Sequence, residues 1–303
     1  MKLIRIKILN STIDILTNSS QLHKSLMSEI KHTISDSVPS EYKCKLLILP
    51  PWTIANDIIN DYSINDTIIL DTTSKKDSIS TLITSSLKES YLYKWYISKY
   101  VINSLQEKSQ ILSIHASCVN INGKGVLFVG SKDSGKSSLT IASYLWHNAR
   151  FVSDDITIVY GYSNRLVATG LFNGININNN EIETLRTGYQ VEELPSSFKK
   201  RLIIKEQYSA TETNIDYIVF PKTNTQKSSI RRMSTGKGIK LVQKNYIFKN
   251  FSENDEVLFK KDGFRNIEFF EMHLNNSIDQ NVELLIDTLN LLRLQGYNDN
   301  ENN

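Results

Sequence analysis

Cysteine is nearly absent from this chain, with two in 303 residues, Cys44 and Cys118. There is no Cys-x-x-Cys pair and no Cys/His cluster, so the sequence offers neither a disulfide framework nor a zinc site. Reduced thiols in a cytosol fit best. A charge excess is missing as well: Lys and Arg number 35 against 32 Asp and Glu, a formal net charge of +3. A nucleic-acid-binding chain carries a stronger excess or a dense basic stripe. No uncharged apolar run approaches the roughly 18 residues that span a bilayer. The opening "MKLIRIKILN" is not expected to be a signal peptide, because Arg5 and Lys7 interrupt its apolar run. Internal repeats are lacking too. Neither nucleic acid nor membrane is therefore expected as a partner. What is present is a globular composition, 40% hydrophobic and 22% charged, long enough for one large domain or a main domain with a smaller one attached.

Patterning divides the chain. "LIRIKIL" and "STIDILT" read as a β-hairpin with Asn10 and Ser11 at the turn. Leu22, Leu26, Ile30 and Ile34 make a helical stripe, and "CKLLILPP" and "DTIILDTT" are strands. Residues 1–75 are thus expected to form a small α+β unit. "STLITSSLKESYLYKWYISKYVINSLQ" reads as a long amphipathic helix, so 76–110 is expected to be a connecting helix. From Ile111 to about Leu171 the order is β-β-loop-α-β-β-β, with turns at Asn122–Gly123 and Ser163–Asn164. "NNNEIETLR" and "EELPSSFKKRL" read as short helices or loops, and "NIDYIVFP" as a strand ended by Pro221. A last helix, about 278–294, carries Val282, Leu285, Leu289 and Leu292 on one face. The main domain is expected to span 111–296, with a disordered tail over 297–303.

The segment with the most chemistry is "GVLFVGSKDSGKSSLTIA", in which Gly130, Gly135, Lys136 and Ser137 fit G-x-x-x-x-G-K-[ST]. An apolar strand delivers the chain to a loop whose glycines permit close backbone approach, and an apolar-faced helix follows. The N–H groups of Gly130, Ser131, Lys132, Asp133, Ser134, Gly135 and Ser138, with the helix N-terminus, suit phosphate oxygens. Lys136 adds a mobile positive charge, and the Ser137 hydroxyl is a natural Mg²⁺ ligand. The spacing and its context point to binding of ATP or another nucleoside triphosphate with Mg²⁺.

Such a site needs an acidic group. Asp71 ends an apolar run before the loop and reads as a strand-end or turn carboxylate. Asp154 and Asp155, in "RFVSDDITIV", follow the loop helix on a strand that can pack beside the first. Adjacent residues in extended chain point to opposite sides, so one carboxylate can hold Mg²⁺ while the other takes the acceptor's proton. His115, in "LSIHASCV", sits on the strand expected to neighbour the loop strand. Between Asp216 and Glu253 there is no acid but eight lysines and arginines. Arg231 and Arg232 are there as candidates for an anion-binding flap that stabilises charge on a transferring phosphoryl or holds an acidic peptide. Lys199–Lys200–Arg201 reads as a surface cluster.

Taken together, "IHASCVNINGKGVLFVGSKDSGKSSLTIASYLWHNARFVSDD" resembles the core of the HPr kinase/phosphorylase family and its relatives, over roughly residues 111–160. The resemblance implies an α/β fold with a P-loop kinase core of the HPr kinase/phosphoenolpyruvate carboxykinase type and a mixed sheet, here with the small N-terminal α+β unit added. It implies an ATP-dependent kinase acting on a Ser or Thr hydroxyl of a peptide or protein, in a family that includes kinases tailoring ribosomal peptide precursors such as lasso peptides. By the same resemblance Lys136 and Ser137 hold phosphate and Mg²⁺, Asp154 is the general base, Asp155 the metal ligand, and His115 lies by the γ-phosphate or the acceptor. The two aspartate roles can also be reversed. HPr kinases proper carry a glycine-rich signature with a glutamate and an arginine after the aspartate pair. "LVATGLFNGININNNEIETL" does not display it, Glu181 and Glu183 being its only acids. HPr as acceptor and phosphate-driven dephosphorylation are left without support. A small-molecule phosphotransferase and a nucleotide-dependent switch are the competing readings, and homo-oligomerisation stays open.

Overall fold

In the computed structural model of the chain, the described residues are 111–178, 199–223, 225–247 and 263–300, with Val191–Glu193, seven strands between Lys2 and Thr84, and positions 27, 30, 97–99, 101, 102, 105 and 106. The seven strands are β1 (Lys2–Ile8), β2 (Ser11–Thr17), β3 (Thr33–Ile34), β4 (Tyr42–Leu49), β5 (Ser63–Ile64), β6 (Thr67–Thr73) and β7 (Ser78–Thr84). They form one sheet in the order β3-β1-β2-β4-β7-β6-β5. The hairpin β1–β2 is as the sequence suggests, but Ile8 pairs with Ser11, so Ser11 belongs to the ladder and the two-residue connection is 9–10. Asp71 lies within β6, opposite Ser80.

The expected connecting helix begins too early. Residues Ser78–Thr84 pair with both β4 and β6. Their Thr and Ile content favours strand over helix, because β-branched side chains lose rotamer freedom in a helical turn. Helical positions appear further on, at 97–99, 101, 102, 105 and 106, where Ile97, Val101, Ile102 and Leu105 are fully buried at helical spacing.

The main fold is mixed α/β. Its strands are β8 (Ile111–Ile114), β9 (Ala116–Ile121), β10 (Lys124–Val129), β11 (Arg150–Ser153), β12 (Thr157–Tyr162), β13 (Arg165–Thr169), β14 (Gly174–Asn178), β15 (Val191–Glu193), β16 (Lys199–Ile203), β17 (Glu212–Lys222), β18 (Ser229–Met233) and β19 (Glu268–His273). Its helices are α1 (Lys136–His147), α2 (Thr235–Lys244) and α3 (Ile278–Asn300). Nine strands form a mixed sheet in the order β11-β9-β10-β17-β13-β12-β8, with β19 on β17 and β18 on β19. The 11-residue β17 organises it, running parallel to β10 and β19 and antiparallel to β13. Strands β8 and β9 are consecutive in the chain, yet they pair in different parts of the order, and only His115 separates them. The sheet therefore curls round so that its β8 end meets β9.

Both faces of the central strands are buried, so the core has two layers. On the inside of the curl, Leu127 and Val129 of β10 pack with Ile218 and Phe220 of β17. On the other face Val126, Phe128, Tyr217 and Val219 pack under Leu139 and Ala142 of α1 and Val282, Leu285 and Leu289 of α3. Odd and even positions of the same strands thus serve different layers, as strand geometry requires. Phe128, Phe151, Phe264 and Phe269 are fully buried, each stabilising the fold by about 1.5–3 kcal/mol.

Several sequence expectations are corrected here. Strand β11, which ends just before the two aspartates, pairs with β9, not β10, so β9 lies between the two. "EELPSSFKKRL" supplies β15 and β16, which join β14 in a three-stranded sheet; Lys199–Lys200–Arg201 are part of β16. Pro221 does not end β17, which continues to Lys222 against β19. Pairing of β17 with β10 stops at Val219, so the proline's missing N–H falls where one side has no ladder left to lose. The last helix runs to Asn300 rather than 294, through part of the expected tail. No proline follows Val282, and each Asn or Asp costs a helix less than about 1 kcal/mol. Residues 179–190, including Glu181 and Glu183, lie outside the described residues.

Candidate functional site

Strand β10 ends at Val129 and α1 starts at Lys136, so residues 130–135 form the link between the central sheet and the helix. Two glycines keep that link tight. A Cβ on Gly130 would sit 2.6 Å from Ser134 Oγ. Gly135, at φ +95, caps α1, and a Cβ on it would sit 2.4 Å from Leu274 Cδ1. Asp133 also adopts a positive φ of 63, which Asp tolerates better than most residues. The N-terminus of α1, the positive end of its dipole, opens into the same space.

Lys136 is folded onto its own loop. Its Nζ donates to Gly130 O at 2.9 Å and to Ser131 O at 2.7 Å, and the residue is buried. Ser137 Oγ donates to Asp154 Oδ1 at 2.9 Å, and the backbone N–H of Asn176 donates to Asp154 Oδ2 at 3.2 Å. His115 Nε2 lies 3.1 Å from Asp155 Oδ1; the Asp155 side chain is 59% exposed, the His115 side chain 27%. His115, Lys136, Ser137, Asp155, Asn176 and Thr223 line one cavity of about 200 Å³ with the loop residues 132–135 and Ser138. Among the described residues the buried Ser134 hydroxyl has no hydrogen-bond partner, so the loop holds a donor in need of an acceptor.

The two neighbouring aspartates diverge for a reason other than strand alternation. They occupy a tight turn in which Ile156 N–H donates to Asp154 O at 2.8 Å and Asp155 has φ 69. The turn is fastened by Ser153 Oγ and Thr157 Oγ1, 2.7 Å apart, and by Thr157 Oγ1 donating to Ala116 O at 2.9 Å. Ala116 adjoins His115, whose own N–H donates to Asn245 O at 2.8 Å. Thr140 of α1 donates to Ser117 Oγ at 2.8 Å. Loop helix, histidine and aspartate turn are therefore tied together by buried hydroxyls, which rigidify only when satisfied.

Arg231 is not among the residues lining this cavity. Standing on β18, with its side chain 67% exposed, it pairs with Glu271 of β19. Glu271 is 2% exposed and also meets Lys222 Nζ at 2.7 Å, His273 Nε2 at 3.2 Å and Lys237 Nζ at 4.0 Å. Lys222 above all, with His273 and Arg231, holds its carboxyl down at about 2 against the partial counter-effect of burial. Arg232 pairs with Glu268 at 3.3 Å. Sequence reasoning missed Glu271, Asn176 and Thr223. Only Glu271 left a signal, an acid inside the apolar "IEFFEM".

Chemically, the cavity offers the Ser137 hydroxyl, which is in contact with the Asp154 carboxylate, and the His115–Asp155 pair. Among the described residues no group of three or more His, Cys, Asp or Glu is placed to enclose a metal ion. A Ser–Asp pair fits Mg²⁺, which keeps several waters and takes few protein ligands, better than a cage-bound ion. No protein-family model matches the chain, and no curated protein matches it. Among solved structures the chain is similar to the HPr(Ser) kinase/phosphatase from Coxiella burnetii, at 16% identity and a TM-score of 0.33, over 61% of this chain and 98% of that one. No described helix is long and apolar enough to cross a membrane.

Proposed function

We propose that the chain is an ATP-dependent kinase that transfers the γ-phosphoryl group to a Ser or Thr hydroxyl of a peptide or protein; the family it resembles includes kinases acting on ribosomally made peptide precursors, one candidate class of acceptor. The observation that carries this reading is the flanking of Lys136 by two different carboxylate pairs in one place, Ser137–Asp154 and His115–Asp155. The loop amides and the α1 N-terminus receive the phosphates, and Lys136 leaves the carbonyls of Gly130 and Ser131 to meet them. Ser137 and Asp154 would hold Mg²⁺, which neutralises phosphate charge when bound. Asp155, more exposed and reached from solvent, faces the acceptor. This allocation takes the reversed order of the two aspartates.

In the transfer, the acceptor oxygen forms a bond to the γ-phosphorus as the bond from that phosphorus to the β,γ-bridging oxygen breaks. The bridging electrons leave on ADP, and the acceptor's hydroxyl proton passes to the Asp155 carboxylate. His115 orients Asp155 through its 3.1 Å contact. The test is incubation with γ-labelled ATP and candidate acceptors, read as label on peptide, protein or metabolite. Asp155→Asn is expected to reduce transfer by about 10²-fold or more with ATP affinity nearly kept. Asp154→Asn instead raises the Mg²⁺ concentration needed. Label on a metabolite alone, or slow hydrolysis indifferent to Asp155→Asn with no acceptor labelled, refutes the proposal in favour of the small-molecule kinase or the switch.

A further inference from the structure

A second cavity opens beside the first. It encloses about 280 Å³ and shares Gly135, Ser138 and Thr223 with the polar one. Its character differs. One wall is α1, with Leu139, Ala142 and Trp146, the first two also reaching the core beneath; another is the segment after β19, with Leu274 and Ile278. Among the described residues no lining side chain is charged. Leu274 lies against Gly135, where a Cβ would sit 2.4 Å from its Cδ1.

The second wall is built to stay in place. Leu274 N–H donates to Lys222 O at 2.8 Å, and Thr225 Oγ1 donates to Leu274 O at 2.8 Å. Asn281, buried at 4% exposure, donates to Asn275 O at 3.0 Å and accepts from Asn275 N–H at 3.2 Å and from Ser228 Oγ at 2.7 Å. With Ser277 N–H donating to Asn275 Oδ1 at 2.9 Å, this fixes the backbone on either side of Asn276, the exposed residue at the rim. A slot with apolar walls, one aromatic flank, an amide at its mouth and no charge suits a flat, neutral, hydrogen-bonding heterocycle.

We infer that this slot holds the purine base of the nucleotide whose phosphates lie in the neighbouring polar cavity, with α1 and Leu274–Ile278 on its two faces and the Asn276 amide on its edge. The inference rests on the nucleotide reading of the Gly130–Ser138 loop. The volume lies just below the range of drug-sized sites, about 300–1,000 Å³, which suits one heterocycle rather than a larger ligand. An amide offers a donor and an acceptor side by side, the pattern that adenine's N6 and N7 complement. Fixed walls mean that the base meets a preformed slot, so little ordering opposes its binding.

The experiment is calorimetric titration of the full chain, in Mg²⁺, with ATP, CTP and inorganic tripolyphosphate, a probe with phosphates and no base. ATP is expected to bind at least about tenfold more tightly than tripolyphosphate, the scale of one stacked base, and more tightly than CTP. Ile278→Trp, which fills the slot at its rim, is expected to bring ATP to the tripolyphosphate level and leave tripolyphosphate unchanged. Asn276→Ala, at an exposed position with no folding role, is expected to weaken ATP and spare tripolyphosphate. Equal affinity of the wild type for ATP and tripolyphosphate overturns the slot and leaves the phosphate loop standing. Equal affinity for ATP and CTP overturns the purine assignment. Binding of neither ATP nor tripolyphosphate overturns the loop reading and the slot with it.

Discussion

Replacing Glu271 by Gln isolates one buried charge whose contribution to the fold is calculable. Its carboxyl lies at about 2 instead of 4.5, a difference of 2.5 units, worth about 3 kcal/mol of stability at neutral pH. The principal partners are more than half exposed, Lys222 at 53% and Arg231 at 67%, so screening makes that figure a ceiling and about 1–3 kcal/mol the expected range. The sign is fixed by the direction: a carboxyl depressed in the folded state stabilises fully above its unfolded value of 4.5 and ceases to do so as pH falls through about 2. Urea unfolding of wild type and Glu271→Gln is followed by circular dichroism at a series of pH values. Other carboxylates titrate in both proteins, so the readout is the difference between the two. The gap is expected to be full near neutral pH, about half its size near pH 3, and closed near pH 2. A gap that does not change with pH, or one under about 0.5 kcal/mol at neutral pH, refutes the account of Glu271 as the charged centre of the Lys222–Arg231–His273 cluster.

Lys136→Ala is expected to lower Mg·ATP affinity by about 10–100-fold, the scale of one charge-assisted hydrogen bond to phosphate, in an equilibrium titration; unchanged affinity would place the phosphates elsewhere. Gly135→Ala combines the φ of +95 with a contact to Leu274 Cδ1 at 2.4 Å, and is expected to cost about 1–3 kcal/mol in thermal or urea unfolding. Leu274→Ala in that background relieves the contact but not the dihedral, so rescue should be partial. Gly125→Ala meets backbone instead, since its Cβ would lie 2.0 Å from Asn214 O. It is expected to cost more than Gly135→Ala, and soluble protein of wild-type stability would contradict the β10–β17 pairing.

Local features were legible in the sequence because their causes are local. The turns Asn122–Gly123 and Ser163–Asn164 carry residues that accept positive φ, and all four have it. The glycines of the loop are demanded by contacts a few residues away or by one dihedral. Strand order was not legible, because it depends on partners far along the chain. In "LSIHASCV" both faces of the sheet are buried, so apolar residues run past His115 without a change of period to mark the break between β8 and β9. Asn176 reaches Asp154 through a backbone N–H that any residue but proline has, and the cations on Glu271 come from β17, β18, α2 and β19 at once. The break at His115 has the largest consequence. Strand β8 pairs with β12 and β9 with β10 and β11, so the histidine stands where the curled sheet meets itself, beside the turn that joins β11 to β12. The His115–Asp155 contact is thus a product of sheet closure rather than of either strand alone, and a substitution that loosens β8 from β12 should part that contact while leaving Ser137 on Asp154, because the latter pair is held by α1 and Asn176.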